Sequence, residues 1–137
     1  MALTNDYSIT TADLYAYLSM KQWTVLTNDG CVSPITGTPS EAVMQILLDD
    51  GIGTVESFMR KNYKVPFTLN SVVTLPEELK GMMIRFAVFL AYSRKNILQD
   101  WRKDQYDSDI ERLKEWERED KQYSRYNLDG VRVVRKN

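Results

Sequence analysis

An all-α fold, a small bundle of four to five helices with a long loop at 27–37 and an extended C-terminal arm, is the class this 137-residue sequence predicts. Three observations predict it. Apolar residues recur at helical spacing over most of the chain. Two segments, Thr38-Pro39-Ser40-Glu41 and Thr74-Leu75-Pro76-Glu77, have the hydroxyl, proline and acid order of a helix start. From Asp100 onward a thin apolar stripe runs through dense alternating charge, as on a helix with one docked edge. The expected organisation is a helical domain over 1–126 and a docking arm over 127–137. A hydrophobic fraction of 43% supports one core rather than disorder.

Thr10 and Thr11 precede Ala12-Asp13-Leu14-Tyr15-Ala16-Tyr17-Leu18, a short helix with a hydroxyl cap and an acid in its first turn. Ser19 caps a second short helix running through Trp23 to Leu26. Thr27 to Gly37 holds Asn28, Asp29, Gly30 and Pro34, which is loop chemistry. The next helix is expected to start with Thr38 as cap, Pro39 at its first position and Glu41 closing a capping box. It continues through Val43, Ile46, Leu47, Val55, Phe58 and Met59 to about Asn62. Gly51 and Gly53 interrupt it, each costing ~1 kcal/mol against alanine, so the helix either kinks there or admits a close backbone.

Tyr63 to Val73, with Pro66, reads as an extended excursion. Thr74 should cap the central helix, roughly 76–97. Leu79, Met82, Met83, Phe86, Ala87, Leu90 and Ile97 form one face, and Ile84, Val88, Phe89 and Ala91 fill much of the rest. A helix apolar nearly all round is surrounded by others. On the charged helix that follows, Tyr106, Ile110, Leu113, Trp116 and Tyr123 form a narrow seam, and Glu111–Lys114 and Glu117–Lys121 stand at supportive spacing. Such a seam docks along a groove or against another subunit. Asn127-Leu128-Asp129-Gly130 is a turn, and Val131-Arg132-Val133-Val134-Arg135 alternates loosely, like a strand or an arm that pairs on contact.

The net charge of −1 provides no electrostatic reason to bind nucleic acid. The charge is uneven, however. Residues 1–50 carry one base, Lys21, against six acids, whereas Val131 to Asn137 carry three bases and no acid. That basic end is an interaction segment or a frayed terminus. The first ten residues are polar, so no signal peptide is expected. The most apolar run, Gly81 to Tyr92, is interrupted by Arg85 and falls short of the ~20 residues a membrane span needs.

Chemistry-bearing patterns are sparse. The sequence has no histidine, which removes Ser-His-Asp and Cys-His catalysis and histidine metal sites. Its one cysteine, Cys31, is expected to be a bystander thiol in the loop. Gly51-Ile52-Gly53-Thr54-Val55-Glu56 opens like a dinucleotide fingerprint, but Glu56 stands at the third glycine position and no strand precedes it. Asp49-Asp50 and Glu77-Glu78 are neighbours, which on a helix point about 100° apart and cannot share a substrate. Asn28-Asp29-Gly30 lacks the ligand spacing of a calcium loop and reads as a turn. The aromatics Trp23, Tyr63, Phe86, Phe89, Tyr92, Trp101 and Trp116 are expected in core and seam, since no basic groove accompanies them. No enzyme activity, cofactor or metal is expected.

The order of these parts resembles a known family. A short helix pair leads into Leu26-Thr27-Asn28-Asp29-Gly30. A long helix then closes on the aromatic, basic and proline patch Phe58-Met59-Arg60-Lys61-Asn62-Tyr63-Lys64-Val65-Pro66, followed by LPEELKGMMIRFAVFLAYSR (Leu75 to Arg94), a charged helix and a basic arm. This is similar to the head-to-tail connector or adaptor (head completion) proteins of tailed bacteriophages, over roughly residues 8–135. The Gly51/Gly53 interruption and the loop at 27–37 depart from the family pattern.

The resemblance implies a structural virion protein, made in the host cytoplasm, that forms a homo-oligomeric ring, a dodecamer, at the head–tail interface. It implies docking on the portal protein through Val131, Arg132, Val133, Val134, Arg135 and Lys136, and a tail or second ring protein below. DNA would pass through the ring's channel without specific binding. Tyr106, Ile110, Leu113, Trp116 and Tyr123 are the candidate inter-subunit seam, and no membrane is involved. The rival from another class is a small cytosolic helical protein-binding or regulatory module. An enzyme using carboxylates alone is disfavoured by the missing histidine and metal spacing.

Overall fold

The computed structural model describes residues 3–29, 37–61, 63, 65–69 and 72–118. Among them the chain forms five helices and one short hairpin: α1 (Thr11–Tyr15), α2 (Met20–Thr27), α3 (Glu41–Met59), β1 (Thr68–Leu69), β2 (Val72–Val73), α4 (Glu77–Arg94) and α5 (Asp100–Arg118). This is the expected small all-α bundle.

The two short N-terminal helices owe their starts to side-chain caps. Thr10 accepts from the Asp13 amide while Asp13 reaches back to the Thr10 amide, and Ser19 and Gln22 repeat the reciprocal arrangement for α2. Residues of α1 and α2 then anchor each other, since the Trp23 indole N–H donates to the Leu14 carbonyl at 3.0 Å. Both side chains are fully buried.

At α3 the helix start is displaced from its expected place. Ser40, not Thr38, is the N-cap, accepting from the Val43 amide. The Ser40 amide donates to Thr27 Oγ1 at 2.9 Å, and the Thr38 carbonyl accepts from the Asn28 side chain at 2.8 Å. Anchoring to the end of α2 thus draws Thr38 into the connection and leaves the cap to the later hydroxyl. The Ser40–Val43 bond is long, 3.4 Å. Ser40→Ala should therefore cost toward the low end of the ~0.5–2 kcal/mol range for caps, with Thr38→Ala near neutral. Urea melts of the two variants compare them directly.

α3 runs unbroken through both glycines, which have different reasons to be there. A Cβ on Gly51 would overlap the Met83 carbonyl oxygen of α4 and approach the Ala87 amide nitrogen to 3.4 Å, whereas one on Gly53 would meet nothing within 4 Å. Gly51 is what lets the two longest-packed helices touch backbone to backbone. Gly51→Ala should force them apart at a cost of ~1–3 kcal/mol. Gly53→Ala should instead stabilise by ~0.5–1 kcal/mol through helix propensity alone. Opposite shifts of the two melting temperatures are the expected result.

The excursion after α3 closes as an antiparallel hairpin, Thr68 opposite Val73 and Leu69 opposite Val72. Thr74 belongs to it: its amide donates to the Phe67 carbonyl and its hydroxyl to the Val72 carbonyl. Thr74 is consequently not the cap of α4. Pro76 occupies that position without a side-chain hydrogen bond, and Glu77 and Glu78 place negative charge on the first turn instead. At the other end, Asn96 at φ 57° terminates α4. The Ile97 amide donates to the Tyr92 carbonyl and the Asn96 amide to the Ser93 carbonyl, a Schellman closure. Ile97, expected on the apolar face, therefore lies beyond the helix and is 52% exposed.

α4 is the central helix. It packs against α2, α3 and α5, and buries Leu79, Met82, Met83, Ile84, Phe86, Ala87, Val88 and Ala91. Leu90 is partly buried against the same core. Met44, Leu48, Val55 and Met59 of α3 and Phe67 after it complete the central layer.

Candidate functional site

The charged helix α5 closes its seam on its own chain. Leu113 and Trp116 are buried in the core, and Tyr106 and Ile110 pack against it. Tyr106 stacks on Phe89 at 4.1 Å between centroids and meets Phe86 edge-on at 5.4 Å. Of the candidate inter-subunit seam, these four described residues are thus wholly or partly covered by the chain's own bundle, where α5 packs against both α3 and α4. Tyr123 and the arm Val131, Arg132, Val133, Val134, Arg135 and Lys136 lie outside the described residues.

A carboxylate–guanidinium pair locks α5 in register. Arg85 of α4 donates through Nε to Asp109 Oδ2 at 2.7 Å and through its second terminal nitrogen to Oδ1 at 3.0 Å. Asp109 is 5% exposed. Burial opposes the charge on Arg85, but the Asp109 bond and charge outweigh it and hold the guanidinium pKa above its ordinary value. Arg112 adds a bond to Glu78 at 2.7 Å, and Lys114 approaches Glu111 as its spacing predicts. Lys121, the expected partner of Glu117, lies outside the described residues.

Other polar contacts tie the N-terminal segment to the bundle. The Tyr7 hydroxyl donates to Glu56 at 2.5 Å and accepts from the Phe67 amide at 3.2 Å. Burial, and then the Glu56 hydrogen bond, push the Tyr7 pKa far above the phenolic range, so this group stays protonated. Asp13 is held below its ordinary value, first by the Thr10 amide and also by Lys80 at 3.2 Å. Asp29 is lowered by its bond to Arg94, with Lys95 adding to it. Arg94 and Lys95 also donate to the Leu26 and Asn28 carbonyls, covering the end of α2. Asn28-Asp29 is thus a cation-fastened turn, and Gly30 and Cys31 beyond it lie outside the described residues.

Among the described residues, no three Cys, Asp or Glu side chains gather closely enough to hold a metal ion. Nor is any described helix long and apolar enough to cross a membrane.

What remains as a candidate site is a surface. The Arg102 guanidinium lies over two rings, 4.1 Å from the Tyr92 centroid and 4.2 Å from that of Trp101. It donates to Gln99 and to the Tyr92 hydroxyl, with no acid within ion-pair distance among the described residues. On one side of this cluster an apolar cleft of about 300 Å³ is lined by Val25, Leu26, Tyr92 and Ile97, with Lys21 and Gln22 at its edge. On the other, a more polar cleft of about 240 Å³ is lined by Tyr17, Arg85, Val88, Trp101, Arg102 and Gln105. Tyr17, Val25, Ile97 and Trp101 are all at least 45% exposed.

Sequence reasoning assigned Trp101 to core or seam, and it is neither. The only hint of this face was Arg85 inside an apolar run. Tyr92 and Arg102 come from either side of the α4–α5 turn, a juxtaposition that periodicity within single helices does not report.

Comparison with curated proteins finds no match, and comparison with solved structures finds none either. A family model does match, that of bacteriophage Mu Gp36, over residues 8–120. That span takes in all five described helices, and the chain belongs to the bacteriophage Mu Gp36 family.

Proposed function

We propose that this phage-family protein is a structural, non-enzymatic component of the virion, a head–tail connector that forms a ring between portal and tail and completes the DNA-exit channel. Membership in a phage family across the whole helical body carries the reading. The order of parts that resembles connector subunits supports it. The described polar pairs also fit a structural role, since Arg85–Asp109 and Tyr7–Glu56 join one element to another. The ring, a dodecamer, takes the portal protein on one side and a tail or second ring protein on the other, and DNA passes without specific contacts. In this role the protein resides in the virion at the head–tail interface, after synthesis in the host cytoplasm.

The arm Val131–Lys136 is the portal-docking element of this proposal. Three valines favour extended backbone that can add to a sheet edge, while Arg132, Arg135 and Lys136 seek acids on the partner. Deleting residues 130–137 should leave the melting temperature nearly unchanged and abolish binding to portal rings. Charge reversal at Arg132 and Arg135 should weaken docking, as should high salt. A truncated chain that docks normally removes the arm from the mechanism. One that unfolds places the arm in the monomer's core.

A further inference from the structure

We infer that this chain binds a second copy of itself head to tail, the Ile46–Asp49–Asp50 face of α3 in one copy seating on the Tyr92–Trp101–Arg102 face of the next. The inference deepens the ring reading and rests on it for biological purpose.

The two faces lie on opposite sides of the α3–α4 contact. Gly51 marks where α3 touches α4 at Met83. At about 100° per residue, Asp49 stands about 200° around α3 from Gly51, and Tyr92, nine residues after Met83, about 180° around α4 from it. Each therefore points away from the shared contact. Two different, mutually complementary patches on opposite sides of a subunit make a heterologous interface, which repeats around a ring when the rotation closes.

Their chemistries match. On α3, Ile46 is an apolar knob, 60% exposed, with Asp49 and Asp50 exposed one turn on. Among the described residues neither acid has a cation within ion-pair distance; Asp49 only accepts from its neighbour Gln45. Opposite stands an apolar cleft of about 300 Å³ edged by Lys21. Beside it, Arg102 lies stacked on two rings with no acid partner. Ile46 in the cleft, with Asp49 and Asp50 against Lys21 and Arg102, would satisfy every one of these groups at once. Arginine and the large aromatics are also the residues that dominate binding energy when buried at an interface. An acidic segment of an unrelated protein meets the charge but supplies no reason for the matching patch on the far side of the same subunit.

The test is a charge swap read by sedimentation velocity on the full-length chain. Arg102→Glu alone and Asp49→Lys/Asp50→Lys alone should each weaken self-association at least ten-fold, with unchanged far-ultraviolet circular dichroism and melting temperature. Mixing the two variants in equal amounts should restore assembly, because each then offers the other a complementary face. Ile46→Ser, which alters neither charge, should weaken association as well. Self-association of both charge variants at the wild-type level overturns the inference. So does a folded mixture that stays apart, or a wild-type chain that remains monomeric at its highest soluble concentration. Should Arg102→Glu fail to fold, the α3 variant and Ile46→Ser still decide, since they lie on the other face. In any overturning case, docking to portal rings that still depends on the arm leaves the ring reading standing with a different subunit contact. Loss of both removes the ring.

Discussion

Phe86→Ala is expected to destabilise the protein by ~3–5 kcal/mol, comparable to the whole stability of many small domains. Phe86 is 1% exposed at the middle of the most enclosed helix. Its ring also makes the edge-on contact with Tyr106 that seats α5. Truncation removes the transfer energy of the ring and leaves a cavity bounded by helices on several sides. Those helices cannot collapse into it readily, because Gly51 already brings α3 and α4 to backbone contact. Chemical denaturation should show the midpoint falling, with much of the chain unfolded in buffer at 37 °C. A loss below about 1 kcal/mol would mean that α4 is not the centre of the bundle.

Asp109→Ala should cost about 3 kcal/mol, because it strands the Arg85 guanidinium between α4 and α5. The Arg85 side chain retains 24% of its exposure, so some water can reach it and the loss should sit at the low end for a broken buried pair. Removing both charges in Arg85→Met/Asp109→Leu should recover most of the stability, since the buried pair itself contributes little beyond register. Equilibrium unfolding of the two single variants and the double variant measures the coupling. A double variant as unstable as Asp109→Ala would show that the pair supplies stability in its own right.

How much of this was legible in the sequence depended on the range of the interaction involved. The reciprocal caps of α1 and α2 use residues three apart, and Thr10 and Ser19 stand where local pattern put them. Thr38 and Thr74 have the same local grammar, yet longer contacts override it: the end of α2 recruits the segment around Thr38, and the hairpin recruits Thr74. The apolar sweep of Leu79, Met83 and Phe86 identified the central helix because a helix buried on several sides needs apolar residues at nearly every position. The seam on α5 was visible too, but periodicity states that a stripe is covered and not by which chain. Whether Leu113 and Trp116 meet their own bundle or a neighbour depends on the apolar surface that α3 and α4 together present, which only the packed structure reveals.

The surface that now stands as the candidate site was the least legible. Arg102, Tyr92 and Trp101 are brought together by the reversal at Asn96, a single left-handed residue. Ile46 stands among the apolar positions of α3 and Trp101 among the aromatics expected in core and seam, and only the three-dimensional packing separates a covered residue from an exposed one. The acidic excess of residues 1–50 was plain, but Asp13 and Asp29 are neutralised by Lys80, Arg94 and Lys95 within the chain. Asp49 and Asp50 are among the acids left without a cation within ion-pair distance among the described residues, and they are the ones the inferred subunit contact uses.

The most direct measurement of the connector role is the mass of the full-length protein, alone and with isolated portal rings, at assembly concentration. Co-sedimentation as one complex, with several copies of this chain bound in fixed ratio to each portal ring, is the predicted result. A chain that stays at its free mass in the presence of portal rings would contradict it.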